Sequence, residues 1–349
     1  MKRMMRMVVA SAVCLLVSRG MLRAAEPVEI SASQIIEVPA ASRDAYVDRA
    51  PVITAVDVSP DGRFVAAAGD DHLVRVWDHT EQLWLDEMYG HSGWVRAVRF
   101  SPDGRQLASG GDDRVIHLWD VGSGTLLRTF AGQPQVIYSL AFSPDSRQLA
   151  TVGFDNQLRL YNTASGEQSG TLPCTASDMR AVAFSPDGRL LAAAGRDGIV
   201  QVWDLVEGRM VRKWPTEHRR VRAICFSPDG SRIAAAGEGT RVHVWDIKGD
   251  RQVATLPARP GKALAATFCG AGKLAVGGSN NIVRIWELGD ARELSRLVGH
   301  TGSVTSLAYD AHGDLLITGS FDTTVRLWQL SVGDHEDTAA RPEPGHQPR

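Results

Sequence analysis

A 42-residue period constrains this chain more than any other feature of its sequence. An aromatic residue and a polar one close each copy, as Trp77-Asp78, Trp119-Asp120, Tyr161-Asn162, Trp203-Asp204, Trp245-Asp246, Trp286-Glu287 and Trp328-Gln329. The spacing is 42 residues at every step but one, which is 41. Ser-Pro-Asp keeps time with it from Ser59, Ser101, Ser143, Ser185 and Ser227, then gives way to Cys269-Gly270-Ala271-Gly272 and Asp310-Ala311-His312-Gly313. Self-similarity at this period marks supersecondary units that bury their apolar faces only by stacking on one another.

Each copy reads as strands and tight turns. Val95–Phe100 alternates apolar and polar residues, the pattern of a half-buried strand. In the Ser-Pro-Asp-Gly that follows, Pro presets φ, Asp holds the turn with its side chain and Gly accepts a left-handed backbone. Ser146 stands in that Gly slot in the third copy, at a cost of about 1 kcal/mol if the turn is kept. A second strand (Gln106–Gly110) leads to the most regular one, VRVW, IHLW, LRLY, VQVW, VHVW, VRIW and VRLW in the seven copies, and then to a looser fourth such as Thr125–Phe130. A four-stranded antiparallel unit has two faces to cover, and radial stacking covers both. The expected fold is therefore all-β, a seven-bladed β-propeller of four-stranded antiparallel blades. With these in-phase motifs the chain resembles the WD-repeat (G-beta repeat) propellers from about Ser33 to Leu330.

The last copy ends at Leu330, and the polar, proline-containing residues 331–349 lack the alternation for a fourth strand and read as a disordered tail. Residues 26–51 contain a short apolar run, Ser33–Val38. It is expected to supply the missing outer strand of the last blade and remove the stranded edge, as overlapping termini do in the families the chain resembles. The repeats themselves occupy residues 52–330.

The first 25 residues combine five basic groups, no acid and the eleven-residue apolar run Met7–Val17, which resembles a secretory signal peptide cut between residues 20 and 25. An exported protein, periplasmic or secreted, is expected; a start at Met21 is the alternative and implies a cytoplasmic product. Val13 before Cys14 does not suit a lipidation signal, and the apolar run is too short for a stable membrane span. Beyond the leader 33 Lys and Arg face 40 Asp and Glu, a balance that argues against general nucleic-acid binding. Cys174, Cys225 and Cys269 make no disulfide framework and no metal-ligand spacing, and read as buried small hydrophobes.

His91, Ser109 and Asp113 are the side-chain types of a hydrolytic triad, but they recur in phase with Trp119. In the resembling family the matching His, Ser or Thr, Asp and Trp form a hydrogen-bonded tetrad that ties the strands of one blade, and His300, Thr318, Asp322 and Trp328 repeat it. Elsewhere the set is partial. Ala67, Ala193, Ala235 or Val276 fills the hydroxyl slot, Tyr161 replaces a Trp, and Gly239 and Asn280 replace the Asp. Recurrence as a scaffold device points to structure rather than catalysis. No HExxH, GxSxG, P-loop or complete GxGxxG occurs, so no metal, cofactor or catalytic residue is assigned.

Function then falls to the loops on the faces. Trp94, Arg96, Tyr138 and Phe154 suggest an aromatic and arginine cluster over copies two and three. Arg180, Arg196, Arg220, Arg222 and Lys262 suggest a basic arc over copies four to six, attractive to an acidic protein or peptide. The expected role is a non-catalytic interaction scaffold. The alternatives are a propeller enzyme and a ligand-binding subunit of a larger exported complex.

Overall fold

The computed structural model describes residues 28–30, 32, 34–41, 49–130, 132–258 and 260–330; the leader, Ser33 and the C-terminal tail lie outside them. Among the described residues every regular element is a strand, and the strands form seven sheets. Six sheets are each built from four consecutive strands of one copy. The first strands of the copies (Ile53–Val58, Val95–Phe100, Ile137–Phe142, Met179–Phe184, Val221–Phe226, Ala263–Phe268, Val304–Asp310) are innermost, and each touches its neighbours around a closed ring. The fold is a seven-bladed propeller. No helix among the described residues is long and apolar enough to cross a membrane.

The Ser-Pro-Asp-Gly turns form because side chain and backbone satisfy one another. The buried Ser101 hydroxyl donates to Asp103 at 2.5 Å and accepts from the Gln106 amide at 2.9 Å. Gly104 closes the turn at φ 74°, and Ser146 adopts the same conformation at φ 62°, so the third copy keeps the turn against its side chain's preference.

The second strand of each blade is buried along almost its whole length and the outermost is largely exposed, so the core lies in seams between blades. Where the second strand ends, Gly111 leaves no room for a Cβ, which would lie 1.9 Å from the Trp94 carbonyl oxygen. Opposite it the inner strand slips register between Val95 and Ala97, leaving Arg96 as an extra, bulged residue. The same slip recurs in all seven blades and singles out Thr54, Arg96, Tyr138, Arg180, Arg222, Leu264 and Thr305. A bulge re-aims its side chain, and these seven line the mouth of the central channel together with Phe321.

Two N-terminal strands complete the ring. β2 (Gln34–Glu37) pairs antiparallel with Thr324–Gln329 as the outer strand of blade 7, setting Ile36 opposite Val325. Ile36 and Val38 are buried in the seam shared by blades 7 and 1. The Trp84 indole of blade 1 donates to the Glu37 carbonyl, and inside the ring Thr305 donates to the Ile53 carbonyl at 2.7 Å. β1 (Val28–Ile30), which the repeat pattern does not announce, runs parallel to Arg292–Leu297 and adds a fifth strand to blade 6.

Candidate functional site

Two places compete for chemistry: the polar clusters inside the blades and the channel mouth. In blade 2, His91 Nδ1 lies 2.7 Å from Asp113 and Nε2 lies 2.7 Å from Ser109 Oγ. Trp119 Nε1 donates to the same hydroxyl at 2.8 Å. Blade 7 repeats this with His300 at 2.8 Å from Asp322 and 2.6 Å from Thr318, and Trp328 donating to Thr318 at 2.9 Å. Burial opposes ionisation of Asp113, but the hydrogen bond and attraction of His91 outweigh it and hold the carboxyl below its ordinary value. The same balance, helped by Thr324 and the Thr301 amide, takes Asp322 well below the carboxylate range. Ser109 and Thr318 are fully shielded from solvent and already engaged by an indole. A hydroxyl so placed braces strands and offers no nucleophile to a substrate.

The other blades fill the same space differently. Blade 1 buries Arg75 between Asp71, at 2.6 Å, and Glu87, at 3.2 Å. In blade 3 the Tyr161 hydroxyl donates to the buried Gln133, whereas in blade 4 the Asp is drawn to the surface, where Thr175 donates to Asp197. In blade 5, where Gly239 replaces the Asp, the ring of His218 lies against that glycine: an added Cβ would sit 2.3 Å from its Nδ1. Neither ring nitrogen of the buried His218 has a hydrogen-bond partner among the described residues. Burial and the neighbouring His243 push its pKa down to about 4. Trp214 stacks on Trp245 with ring centroids 5.4 Å apart and planes 5° from parallel.

The channel mouth is a cavity of about 290 Å³. A ring of small residues, Ala55, Ala97, Ser139, Ala181, Ala223, Ala265 and Ser306, continues inward from the bulged residues and lines with them a space of about 120 Å³. Arg96 holds Asp112 with two hydrogen bonds, Nε at 2.8 Å and Nη2 at 2.7 Å, and packs over Trp94 at 4.5 Å. The sequence pattern grouped Tyr138 with Trp94 and Arg96; in the structure its ring carries the Arg180 guanidinium, 3.5 Å from centroid to Cζ. Arg180 Nε lies 2.5 Å from the buried Asp178, whose other oxygen lies 3.0 Å from Arg220. Glu238 gathers Arg222, at 2.9 Å from Nε, Arg220 at 3.3 Å and Lys262 at 3.7 Å. Burial opposes ionisation of Glu238, yet these cations hold its carboxyl below the ordinary value.

The basic arc is thus an ion-pair network in which two carboxylates serve four cations, with Arg196 standing exposed beside it. Glu238 is the anchor that sequence reasoning passed over. It occupies the slot before the tetrad Asp position, as Asp112 does in blade 2. The bulges were missed as well; their signal is the glycine closing the second strand in six of the seven copies. Around the mouth Trp94, Phe154 and Phe321 keep 38%, 49% and 47% of their surface exposed. Among the described residues no cluster of three or more His, Cys, Asp or Glu side chains is arranged to hold a metal ion. Burial pushes the thiols of Cys174 and Cys225 up to about 12, and that of Cys269 up as well, as expected of packed rather than reactive cysteines. Residues 52–329 match the family model described as the IFT122 first beta-propeller.

Proposed function

We propose, from the premise that this chain belongs to the IFT122 first β-propeller family, that it is a non-catalytic scaffold offering the mouth-bearing face to a protein or peptide. WD-type propellers of this kind suggest protein partners. One observation carries the finer reading. Exposed Phe321 lines a mouth whose cations outnumber their carboxylates, Trp94 lies exposed under the mouth-lining Arg96, and Phe154 is exposed in the loop slot that Phe321 holds in blade 7. Exposed aromatics and arginines held in place by buried partners are the composition of interface hot spots, where rigid groups lose little entropy on binding. The excess positive charge favours an acidic partner and sets its approach. Among the described residues the serine, histidine and aspartate that meet, in blade 2, are sealed inside the blade, which supports a binding role over hydrolysis.

The leader supports an exported location for this scaffold, and cell fractionation tests it: uncleaved full-length chain confined to the cytosol overturns export. For the face itself the test is affinity purification of the full chain from its native source. Wild type is compared with Trp94→Ser, Phe154→Ser and Arg222→Glu. Partners retained by wild type and lost from all three place the interface at this face; partners retained by all three remove it.

A further inference from the structure

We propose that the channel mouth receives the C-terminal residue of a partner protein, taking its α-carboxylate on the arginines and its apolar side chain on Leu264 and Phe321. This rests on the reading that the mouth-bearing face is the binding face.

The bulges put two unlike sectors into one cavity. Blades 2 to 5 contribute Arg96, Tyr138, Arg180 and Arg222, while blades 6, 7 and 1 contribute Leu264, Phe321, Thr305 and Thr54. The two threonine hydroxyls are already spent on the Ile53 and Val95 carbonyls, so this second sector presents methyl and apolar surface. On the first sector the arginines are held from behind. Asp112 and Glu238 take the Nε edges of Arg96 and Arg222, and Asp178 takes that of Arg180. Nη1 of Arg96, Nη1 of Arg222 and both Nη atoms of Arg180 carry no hydrogen bond among the described residues. Donors fixed in direction but without acceptors are what a bidentate oxyanion needs, because no side-chain freedom is lost on binding.

Charge and shape then select among anions. Asp178 and Glu238 answer Arg180, Arg220, Arg222 and Lys262, leaving an excess of two positive charges beside the cavity. A carboxylate entering the mouth is therefore attracted, not merely tolerated. An internal Asp or Glu side chain would satisfy the donors but bring no apolar group to Leu264 and Phe321. The last residue of a chain brings both from one Cα, and a mouth walled on every side by the seven blades accepts a chain end more readily than a continuous strand.

The experiment uses the full chain and fluorescein-labelled hexapeptides, Gly-Ser-Gly-Ser-Gly followed by Leu as free acid, Leu as amide, Gly as free acid or Glu as amide, read by fluorescence polarisation. The Leu free acid is expected to bind tightest. Amidation should weaken it about tenfold or more, the size of one charge-assisted hydrogen bond, and replacing Leu by Gly should weaken it too. Arg180→Gln and Arg222→Gln should each reproduce the loss, with Arg251→Gln, on the outermost strand of blade 5, leaving binding unchanged. Equal binding of acid and amide, tighter binding of the Glu amide, or no binding of the Leu free acid up to about 1 mM overturns the proposal. Those outcomes leave the face itself standing if the Trp94, Phe154 and Arg222 variants lose native partners. If those variants keep them, the face reading fails and takes this inference with it.

Discussion

Blades 2 and 7 and blade 5 carry one backbone on opposite chemistry. In the first pair a histidine, a hydroxyl, a carboxylate and an indole satisfy one another in the blade interior. Blade 5 has Ala235 and Gly239 in two of those places, an unpartnered buried His218 against the glycine, and the stacked pair Trp214 and Trp245. Their sheets still superimpose in plan, with the same strand order and the same bulge. The tetrad is therefore one way of filling a space that ring packing fills in blade 5, there with the nitrogens of His218 left unpaired. This agrees with the general rule that a satisfied buried network and an apolar replacement of equal volume differ little, while a half-satisfied network is costly. Blade 5 also bears Glu238, next to Gly239 and above His218, so the least conventional interior lies under the residue that organises the mouth.

The comparison can be broken most forcefully at blade 7, which has a complete tetrad but only three strands of its own. Deleting residues 26–40 removes β1, β2 and the buried Ile36 and Val38. Each such side chain contributes about 1.5–3 kcal/mol, so the melting temperature should fall by about 10 °C or more; an unchanged value would show that the tetrad holds the blade without the strand. Next in size is Ser109→Ala, which strands His91 Nε2 and Trp119 Nε1 inside blade 2. At about 2 kcal/mol for each orphaned group the loss is about 4 kcal/mol. The reverse change, Ala235→Ser, should stay within about 1 kcal/mol, because the new hydroxyl is offered to His218 and Trp245 and leaves no existing bond broken. Denaturant unfolding of both variants tests the asymmetry, and equal losses would defeat it.

Acid acts on both kinds of blade through buried histidines, His117 in blade 2 and His218 and His243 in blade 5, and on blades 2 and 7 through their aspartates as well. His218 titrates near 4 when folded and at its ordinary 6.5 when unfolded. The unfolded state therefore binds more protons between those values, and stability falls as pH drops through that window, by up to about 3 kcal/mol. Asp113 and Asp322 have depressed folded pKa values, so the stability they contribute is present above their ordinary 3.8 and is lost only as pH falls below it. His218→Phe should reduce the slope of the stability profile between pH 6.5 and 4, the remainder belonging to His117 and His243, and leave the lower limb intact; an unaltered upper limb assigns that loss elsewhere. The smallest effect belongs to the turns. Ser146→Gly relieves a positive φ and should add up to about 1 kcal/mol, minus the hydrogen bond its hydroxyl accepts from the Asp103 amide at 3.2 Å. Calorimetry resolves the sign.

The architecture was legible because each copy states the same local rules, and six registers of Trp, Asp and Gly cannot agree by accident. Ser33–Val38 was readable as the closing strand because its apolar residues had no other sheet to join, and its core Gln34–Glu37 pairs with blade 7. β1 carried no such sign: parallel pairing needs no turn beside it, and the alternation of Val28-Glu29-Ile30 is too short to stand out. The mouth was half legible. Its arginines and Tyr138 are visible in phase, but their acids belong partly to neighbouring blades. Asp178 of blade 4 reaches Arg220 of blade 5, and Glu238 of blade 5 reaches Lys262 of blade 6. Inspection of one copy at a time cannot show a contact that exists only between copies.

The pairing of β2 with the last blade has a kinetic consequence. Ile36 meets Val325, so the strand that completes the ring is synthesised before the blades and used after all of them. Contacts that span nearly the whole chain carry the largest loop-closure cost and form late. Until the final blade emerges, a nascent chain has an unfilled edge at one end and an idle strand at the other, and either can pair with another molecule. Chains halted before residue 324 should therefore depend most on chaperones, and the completed chain should need them least once Gln34–Glu37 has docked.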